Sequence, residues 1–287
     1  MDSRTELGEF LRSRRARIQP EDVGLPPAGG RRRVPGLRRE ELALLAGVSV
    51  AYYTRLEQGH GRNASVEVWN AVARALQLDD TERAHLLHLA QPHRGRERDG
   101  GGPQRVRREL RHLLDALDSV PAYLLGRRMD VLGWNQMARA LLYDFPSQHP
   151  RQRNMARLVF LEPTSRELFA DWEPKARETV GYLRMDAGRY PDDKHLNELV
   201  GELSVKSEEF RRMWADHTVA DKKHGTKRLQ HPLVGELTLA YETFQLPDNP
   251  DQHLITYHAE PLSPSADALR LLASWGVDDN MREHQGS

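Results

Sequence analysis

The 287-residue sequence contains no cysteine, which excludes disulfides, zinc sites with thiolate ligands and cysteine nucleophiles. It also has no apolar run of the roughly 18 residues that a membrane-spanning helix requires. The first ten residues, MDSRTELGEF, lack the apolar stretch of a signal peptide. We therefore expect a cytoplasmic protein that has no membrane partner. Because a single core rarely grows to this length, two domains are the default.

Lysine is absent from residues 1–98, which hold 17 arginines against 13 acidic residues. The net charge of zero for the whole chain therefore conceals +4 in this part and −4 in the remainder. The imbalance is greatest in residues 11–39, where nine arginines face only Glu21 and Asp22, which gives +7. Such a concentration of positive charge favours a polyanionic partner. A solvated, arginine-rich surface is the alternative that charge alone leaves open.

Helical periodicity predicts five helices before residue 91. They are separated by a long loop rich in glycine and proline and by further glycines, and the loop carries Arg31, Arg32 and Arg33. The predicted helices cover about 5–17, 37–46, 49–57, 66–76 and 81–90. We therefore predict an all-α domain in residues 1–90.

The second and third of these helices form a characteristic pair around Gly47, which allows a sharp turn. We expect the core to receive Leu42 and Leu45 from the first helix of the pair, and Val48, Tyr53 and Leu56 from the segment after the turn. That arrangement leaves one outward face on the third helix, formed by Ser49, Val50, Ala51, Tyr52 and Arg55. Ser49 can cap this helix and leave its free N–H groups near a phosphate. The alternative is that the two helices form an ordinary helical hairpin with no role in binding DNA.

The full string from Glu40 to Gly59 resembles the xenobiotic-response-element-type helix-turn-helix family, which includes the phage repressors. The stretches RVPGLRREELA at 33–43 and YYTRLEQG at 52–59 resemble in particular the MmyB-like regulators of actinobacteria. The resemblance implies a domain that binds double-stranded DNA, with the helix after the turn in the major groove.

Carried over by position, the resemblance implies base contacts from Val50, Ala51, Tyr52 and Arg55, and phosphate contacts from Ser49 and Arg39. Arg55 has the side chain for two hydrogen bonds to a guanine, whereas Val50 and Ala51 suit thymine methyl groups. The face lacks the amide side chains with which phage repressors read adenine, which leaves the target sequence open. Arg38 is a further DNA-contact candidate. We expect the loop arginines Arg31, Arg32 and Arg33 to neutralise phosphates or enter a minor groove, and Arg62 and Asn63 to contact the backbone.

Residues 91–104, QPHRGRERDGGGPQ, have the composition of a linker, with four glycines and no large aliphatic residue. After the linker, strand patterns occur at 122–128, 131–134, 234–244 and 252–257. Helical stretches occur at about 166–187 and 195–214, and a last helix begins at Ser265. We expect the strands at 234–244 and 252–257 to pair in an antiparallel sheet. Residues 105–287 are therefore predicted to form an α+β domain.

Several strings of this second part also resemble the C-terminal domain of the MmyB-like family, among them WADH at 214–217, HPLVG at 231–235 and SPSAD at 263–267. The resemblance implies a PAS-like domain that binds a small apolar ligand such as a fatty acid. A sheet lined by aromatic residues can enclose such a ligand, although core packing is the commoner role for each of them. The ligand-contact candidates are Tyr123, Arg127, Trp134, Phe160, Trp172, Tyr182, His217 and Tyr241. Arg127, Arg128 and His217 are the cationic candidates for an acidic head group.

Enzyme motifs are missing from the sequence. No HExxH, GxSxG or Walker-type string occurs. The spacing of seven between His217, His224 and His231 matches no compact metal-ligand motif. We therefore predict no catalytic residue, no metal and no cofactor.

These observations favour a ligand-responsive transcription regulator, with repression as the default, that acts as a homodimer. The first alternative is a DNA-binding regulator whose C-terminal domain only dimerises or recruits a protein partner. A hydrolase tethered to DNA is the third possibility, from a different functional class.

Overall fold

The computed structural model describes residues 3–25, 36–61, 64–90, 104–221 and 224–284. The chain divides into two compact units. Unit 1 comprises residues 1–101, 180–201 and 211–221, and unit 2 comprises 102–179, 202–210 and 222–287. The domain limits at residues 90 and 105 stay predictions. Within the described ranges, no helix is both long and apolar enough to cross a membrane.

The five helices predicted for the N-terminal part are confirmed, and they form an all-α arrangement in unit 1. Their bounds are α1 Ser3–Arg15, α2 Arg39–Leu45, α3 Val50–Glu57, α4 Val66–Ala75 and α5 Asp80–Ala90. The apolar stripe of each helix is buried in one core around Trp69, which is fully inaccessible to solvent. Ser49 and Ser65 cap α3 and α4 by accepting hydrogen bonds from the backbone N–H groups of Tyr52 and Val68.

One expectation about this core was wrong. Leu42 is fully buried, but Leu45 is 37% exposed. Leu45 is the last residue of α2, where the chain leaves the helix toward Gly47, so its side chain lies at the rim. The turn depends on Gly47, whose φ of 66° lies in the left-handed region that side-chain-bearing residues rarely adopt.

Unit 2 is built on a five-stranded sheet, which confirms the predicted PAS-like α+β architecture. The strands are β1 Ala122–Leu125, β2 Val131–Trp134, β3 Gly225–His231, β4 Gly235–Leu246 and β5 Asn249–His258. Their order is β2-β1-β5-β4-β3, and every neighbouring pair is antiparallel. The predicted pairing of β4 with β5 is confirmed, with Tyr241 opposite Tyr257.

The helices after residue 104 were predicted less well. Their bounds are α6 Arg108–Asp115, α7 Gln136–Leu141, α8 Met155–Leu161, α9 Thr164–Leu168, α10 Trp172–Arg189, α11 Lys194–Lys206, α12 Glu208–Ala215 and α13 Pro264–His284. The residues between α9 and α10 bridge to β3, where Phe169 pairs with Leu229 and Ala170 donates to the carbonyl of Arg228. The predicted helix at 166–187 is therefore two helices. The one predicted at 195–214 also divides, at Ser207, whose hydroxyl caps α12 by accepting from the N–H of Phe210.

Candidate nucleic-acid interface and effector cavity

Helix α3 exposes the face that the sequence predicts for DNA contact. Ser49, Ala51 and Arg55 are exposed, Val50 is 46% exposed and Tyr52 is half-buried. On the opposite side, Tyr53 and Leu56 are buried in the core. The structure thus brings the five predicted residues of this helix together on one accessible surface. Their contacts with bases and phosphates stay predictions.

The arginine candidates outside α3 are only partly within the described residues. Arg31, Arg32, Arg33, Arg62 and Asn63 lie outside them. Arg38 immediately precedes α2 and is exposed, and its backbone N–H donates to the Glu41 carboxylate at 2.6 Å. Arg39 begins α2, and its side chain is 48% exposed.

A buried carboxylate holds Arg39 in place. Glu57, at the end of α3, is 1% exposed and accepts hydrogen bonds from Arg15 Nε at 2.6 Å and from Arg39 Nε at 2.7 Å. Arg15 also donates to the carbonyl of Leu37 at 2.6 Å. The carboxylate thereby links α1, α2 and α3, and it fixes the base of the exposed Arg39 guanidinium beside α3.

The electrostatics of this cluster favour its charged form. Burial opposes ionisation of Glu57, but the hydrogen bonds from Arg15 and then Arg39 outweigh it, so the pKa of Glu57 lies below its ordinary value. Sequence reasoning missed this role of Glu57. A usable signal existed, because Glu57 follows Tyr53 at helical spacing on the inward face.

A second buried charge cluster lies in unit 1. Arg184, on α10, is inaccessible to solvent, forms an ion pair with Glu6 and donates to the carbonyl of Trp214. Its guanidinium carbon lies 4.1 Å from the centroid of the Trp214 ring, and its Nη1 is 3.1 Å from His217 Nδ1. Burial would raise the pKa of Glu6, but a hydrogen bond with His217 and the charge of Arg184 lower it.

Two predicted ligand contacts, Tyr182 and His217, therefore lie in unit 1. His217 joins this cluster, and Tyr182 is buried in the segment 180–201 of the same unit. Glu6, Glu9 and His217 bring their ligand atoms within 4.8 Å of one another, as a metal site would. Because Arg184 already neutralises Glu6, we assign the cluster to charge pairing.

The other six ligand candidates lie in unit 2. Tyr123 and Tyr241 both pack against Tyr257, with ring centroids 6.3 and 6.1 Å apart. Phe160 packs edge-on against Trp172 at 5.8 Å. The Trp134 ring lies 5.2 Å from that of Phe145, and Arg127 pairs with Asp251 at 3.2 Å.

Sequence reasoning missed a buried charge cluster between α10 and the sheet of unit 2. Glu178 accepts from Lys227 Nζ at 2.6 Å and from the Tyr241 hydroxyl at 2.7 Å. Burial lowers the pKa of Lys175 to about 8, against the opposing charge of Glu178. Burial would raise the pKa of Glu178, but the two lysines lower it to about 2. The cluster thus keeps a charged carboxylate in the interior of unit 2.

Unit 2 also contains a cavity of about 700 Å³, a volume typical of small-molecule sites. Its wall combines the end of α7 and the residues after it, the α8–α9 region and the β3–β4 turn. None of the eight predicted ligand residues is among the described residues of its lining. Sequence reasoning could not find this lining, because it is assembled from three separate segments.

Two family models match the chain. Residues 106–272, more than half of its length, match the MmyB-like transcription regulator ligand binding domain. The chain belongs to the MmyB-like transcription regulators. Residues 6–86 match a helix-turn-helix domain, in agreement with the α2–turn–α3 geometry. No curated protein matches the sequence. The regulator thus combines a DNA-binding domain with a ligand-binding domain.

Proposed function

We propose that the chain is a sequence-specific transcriptional repressor of the xenobiotic-response-element type, whose DNA binding is controlled by a small ligand in unit 2. The observation that carries the proposal is the exposed face of α3, presented beside Arg38 and Arg39 in a domain with the helix-turn-helix arrangement. As a regulator of transcription it acts in the cytoplasm. Repression requires only that the protein occupy a promoter, because bound protein blocks polymerase without further contacts.

The proposed contacts divide into two classes. Val50, Ala51, Tyr52 and Arg55 read base edges in the major groove. Ser49, Arg38 and Arg39 bind phosphates together with the predicted contacts outside the described residues, Arg31, Arg32, Arg33, Arg62 and Asn63. The net charge of +7 in residues 11–39 supports the second class, although Arg15 within this range is buried and paired with Glu57.

Selection of duplexes from a random library by the full chain, followed by fluorescence anisotropy, tests this function. We expect enrichment of one sequence and a strong salt dependence. If about six phosphates are neutralised, affinity falls by roughly 10³-fold between about 50 and 200 mM salt. No enrichment, or a flat salt response, contradicts the proposal.

We also propose that the regulator binds DNA as a homodimer. One recognition helix buries too little surface for operator-grade affinity, whereas two modules reading half-sites about 34 Å apart supply it. Sedimentation velocity at micromolar concentration, with and without the selected duplex, measures the oligomeric state directly. A monomer under both conditions contradicts this part of the proposal.

The sequence-based expectation for the ligand is a small apolar molecule, fatty-acid-like in character. Native mass spectrometry of the purified full chain detects such a ligand as added mass that is lost at higher collision energy. A ligand that acts as an effector must also change the affinity of the protein for the selected duplex. It can do so only if it binds the DNA-binding conformation and the other conformation of the protein with different affinities.

A further inference from the structure

We propose that the unit 2 cavity binds an amphipathic organic cation, such as an amine with an apolar body, and selects against a carboxylate-headed ligand. This inference rests on the proposed function, because it names the ligand class of the proposed effector domain. It departs from the fatty-acid-like ligand that the family resemblance implies.

Acidic side chains dominate the charge of the cavity wall. Asp144, Glu162 and Glu167 contribute carboxylates, and Arg139 is the one arginine or lysine among the described lining residues. Arg139 Nε donates to Asp144 at 2.6 Å, so this pair cancels. Glu162 and Glu167 have no side-chain hydrogen bond or ion pair within the part of the chain that the structure describes. Two uncompensated negative charges therefore face the cavity.

The histidine of the wall, His231, has both ring nitrogens engaged within the protein. His231 is 5% exposed. Its Nε2 lies 2.9 Å from the carbonyl oxygen of Ala140 and therefore donates, and its Nδ1 accepts from the N–H of Leu233 at 3.2 Å. Both ring nitrogens are therefore engaged by the protein itself, so the ring offers no free N–H donor to an anionic head group.

Apolar side chains complete the wall and give the ligand its second property. Leu141, Leu142 and Leu168 are buried, and Pro232 lies beside them. A cavity of about 700 Å³ with such a lining buries an apolar body of small-molecule size. A cationic head beside Glu162 and Glu167 then gains favourable charge interactions, whereas a carboxylate is repelled.

Three probes with one apolar chain and different heads test this selectivity. Octylamine is cationic at neutral pH, octan-1-ol is neutral and octanoate is anionic. Isothermal titration calorimetry with the full chain at low salt measures the three affinities. We expect octylamine to bind about tenfold more tightly than octan-1-ol, because two partly exposed ion pairs each contribute modestly. Octanoate is expected to bind more weakly than the alcohol.

The double variant Glu162→Gln/Glu167→Gln assigns the preference to the cavity. It removes both charges while keeping side-chain size, so the tenfold preference for octylamine should disappear and the affinity for octan-1-ol should remain. The control Glu173→Gln/Glu242→Gln removes two exposed carboxylates that are outside the lining. It raises the net charge by the same amount as the cavity variant and should leave the preference intact.

Three results overturn the inference: octanoate binding most tightly, a preference for octylamine that survives in the double variant, or no binding of any probe. Anisotropy with the selected duplex on the same preparation reports on the proposed function separately. Intact sequence-specific DNA binding combined with any of these results refutes the cationic ligand alone.

Discussion

The substitution Glu57→Gln tests how the exposed face of α3, the proposed DNA-contact surface, is held in place. It keeps the shape of the side chain but removes the charge that Arg15 and Arg39 share. Arg15 is 8% exposed, so its guanidinium would remain buried without its anionic partner. Removal of one partner from a buried ion pair costs about 3–5 kcal/mol. Because glutamine still offers one acceptor, we expect a smaller cost, about 2–3 kcal/mol.

Hydrogen exchange of the full chain, followed by mass spectrometry, measures this loss locally. A cost of about 2–3 kcal/mol corresponds to a roughly 30- to 150-fold fall in the protection of amides in α1 and α3. Glu40→Gln is the matched control, because Glu40 is an exposed carboxylate in the first turn of α2. Its loss should cost less than about 1 kcal/mol.

A double variant separates the pair from the individual charges. In Arg15→Met/Glu57→Met neither buried charge is left without its partner, so the loss should be smaller than the sum of the two single methionine variants. Protection in Glu57→Gln that falls no further than in the Glu40→Gln control would refute the reasoning. The reasoning would also be refuted if the double variant lost as much stability as the two single methionine variants lose together.

Two further predictions concern buried ionisable groups of unit 1. Burial lowers the pKa of His85 from 6.5 to about 3, against the opposing charge of Glu6, so between these pH values the unfolded chain binds the additional proton. The free energy of unfolding is therefore unaffected by His85 above about pH 6.5, and it falls by up to about 1.4 kcal/mol per pH unit as the pH drops below that value. Calorimetry of His85→Leu should lack this part of the pH dependence of stability. An unchanged pH dependence contradicts the assignment. Arg184→Met leaves the Glu6 carboxylate buried without its ion-pair partner and should cost about 3–5 kcal/mol. Hydrogen exchange in α1 measures that loss, which the exposed-site control Arg189→Met should not reproduce.

The helix-turn-helix part was predictable because its signals are local. The apolar residues of α1–α5 recur at helical period, and Ser49 and Ser65 mark two helix starts within the sequence itself. Gly47 identifies the turn from its chemistry alone. The exposed face of α3 follows from the same periodicity, since burial of Tyr53 and Leu56 leaves Val50, Ala51 and Arg55 outside.

The features that were missed depend on residues far apart in the chain. Glu57 meets Arg15 across 42 positions, and Glu6 meets Arg184 across 178. No local pattern in the sequence indicates such partners. Strand β3 was also missed, because it lies at the edge of the sheet and most of its residues are exposed or half-buried. Pairing with this strand then divides the helix that periodicity predicted at 166–187.

The ligand site was the least predictable element. The aromatic residues chosen from the sequence pack largely against one another, as large apolar side chains in a core do. The cavity instead uses residues after α7, around α9 and in the β3–β4 turn, which only the fold brings together. Its acidic lining could not be inferred from composition, because single carboxylates such as Glu162 carry no sequence signal of their own.

The measurement that tests the central claim most directly compares Arg55→Ala with Arg38→Ala. Each variant is titrated by fluorescence anisotropy against the selected duplex and a scrambled duplex at one salt concentration. If Arg55 reads a guanine, its removal costs about 1–3 kcal/mol on the selected duplex and much less on the scrambled one. Arg38→Ala removes the proposed phosphate contact and should weaken both duplexes about equally. Equal losses on both duplexes for Arg55→Ala, or no loss on either, would contradict the assignment of α3 as the recognition helix that reads sequence through Arg55.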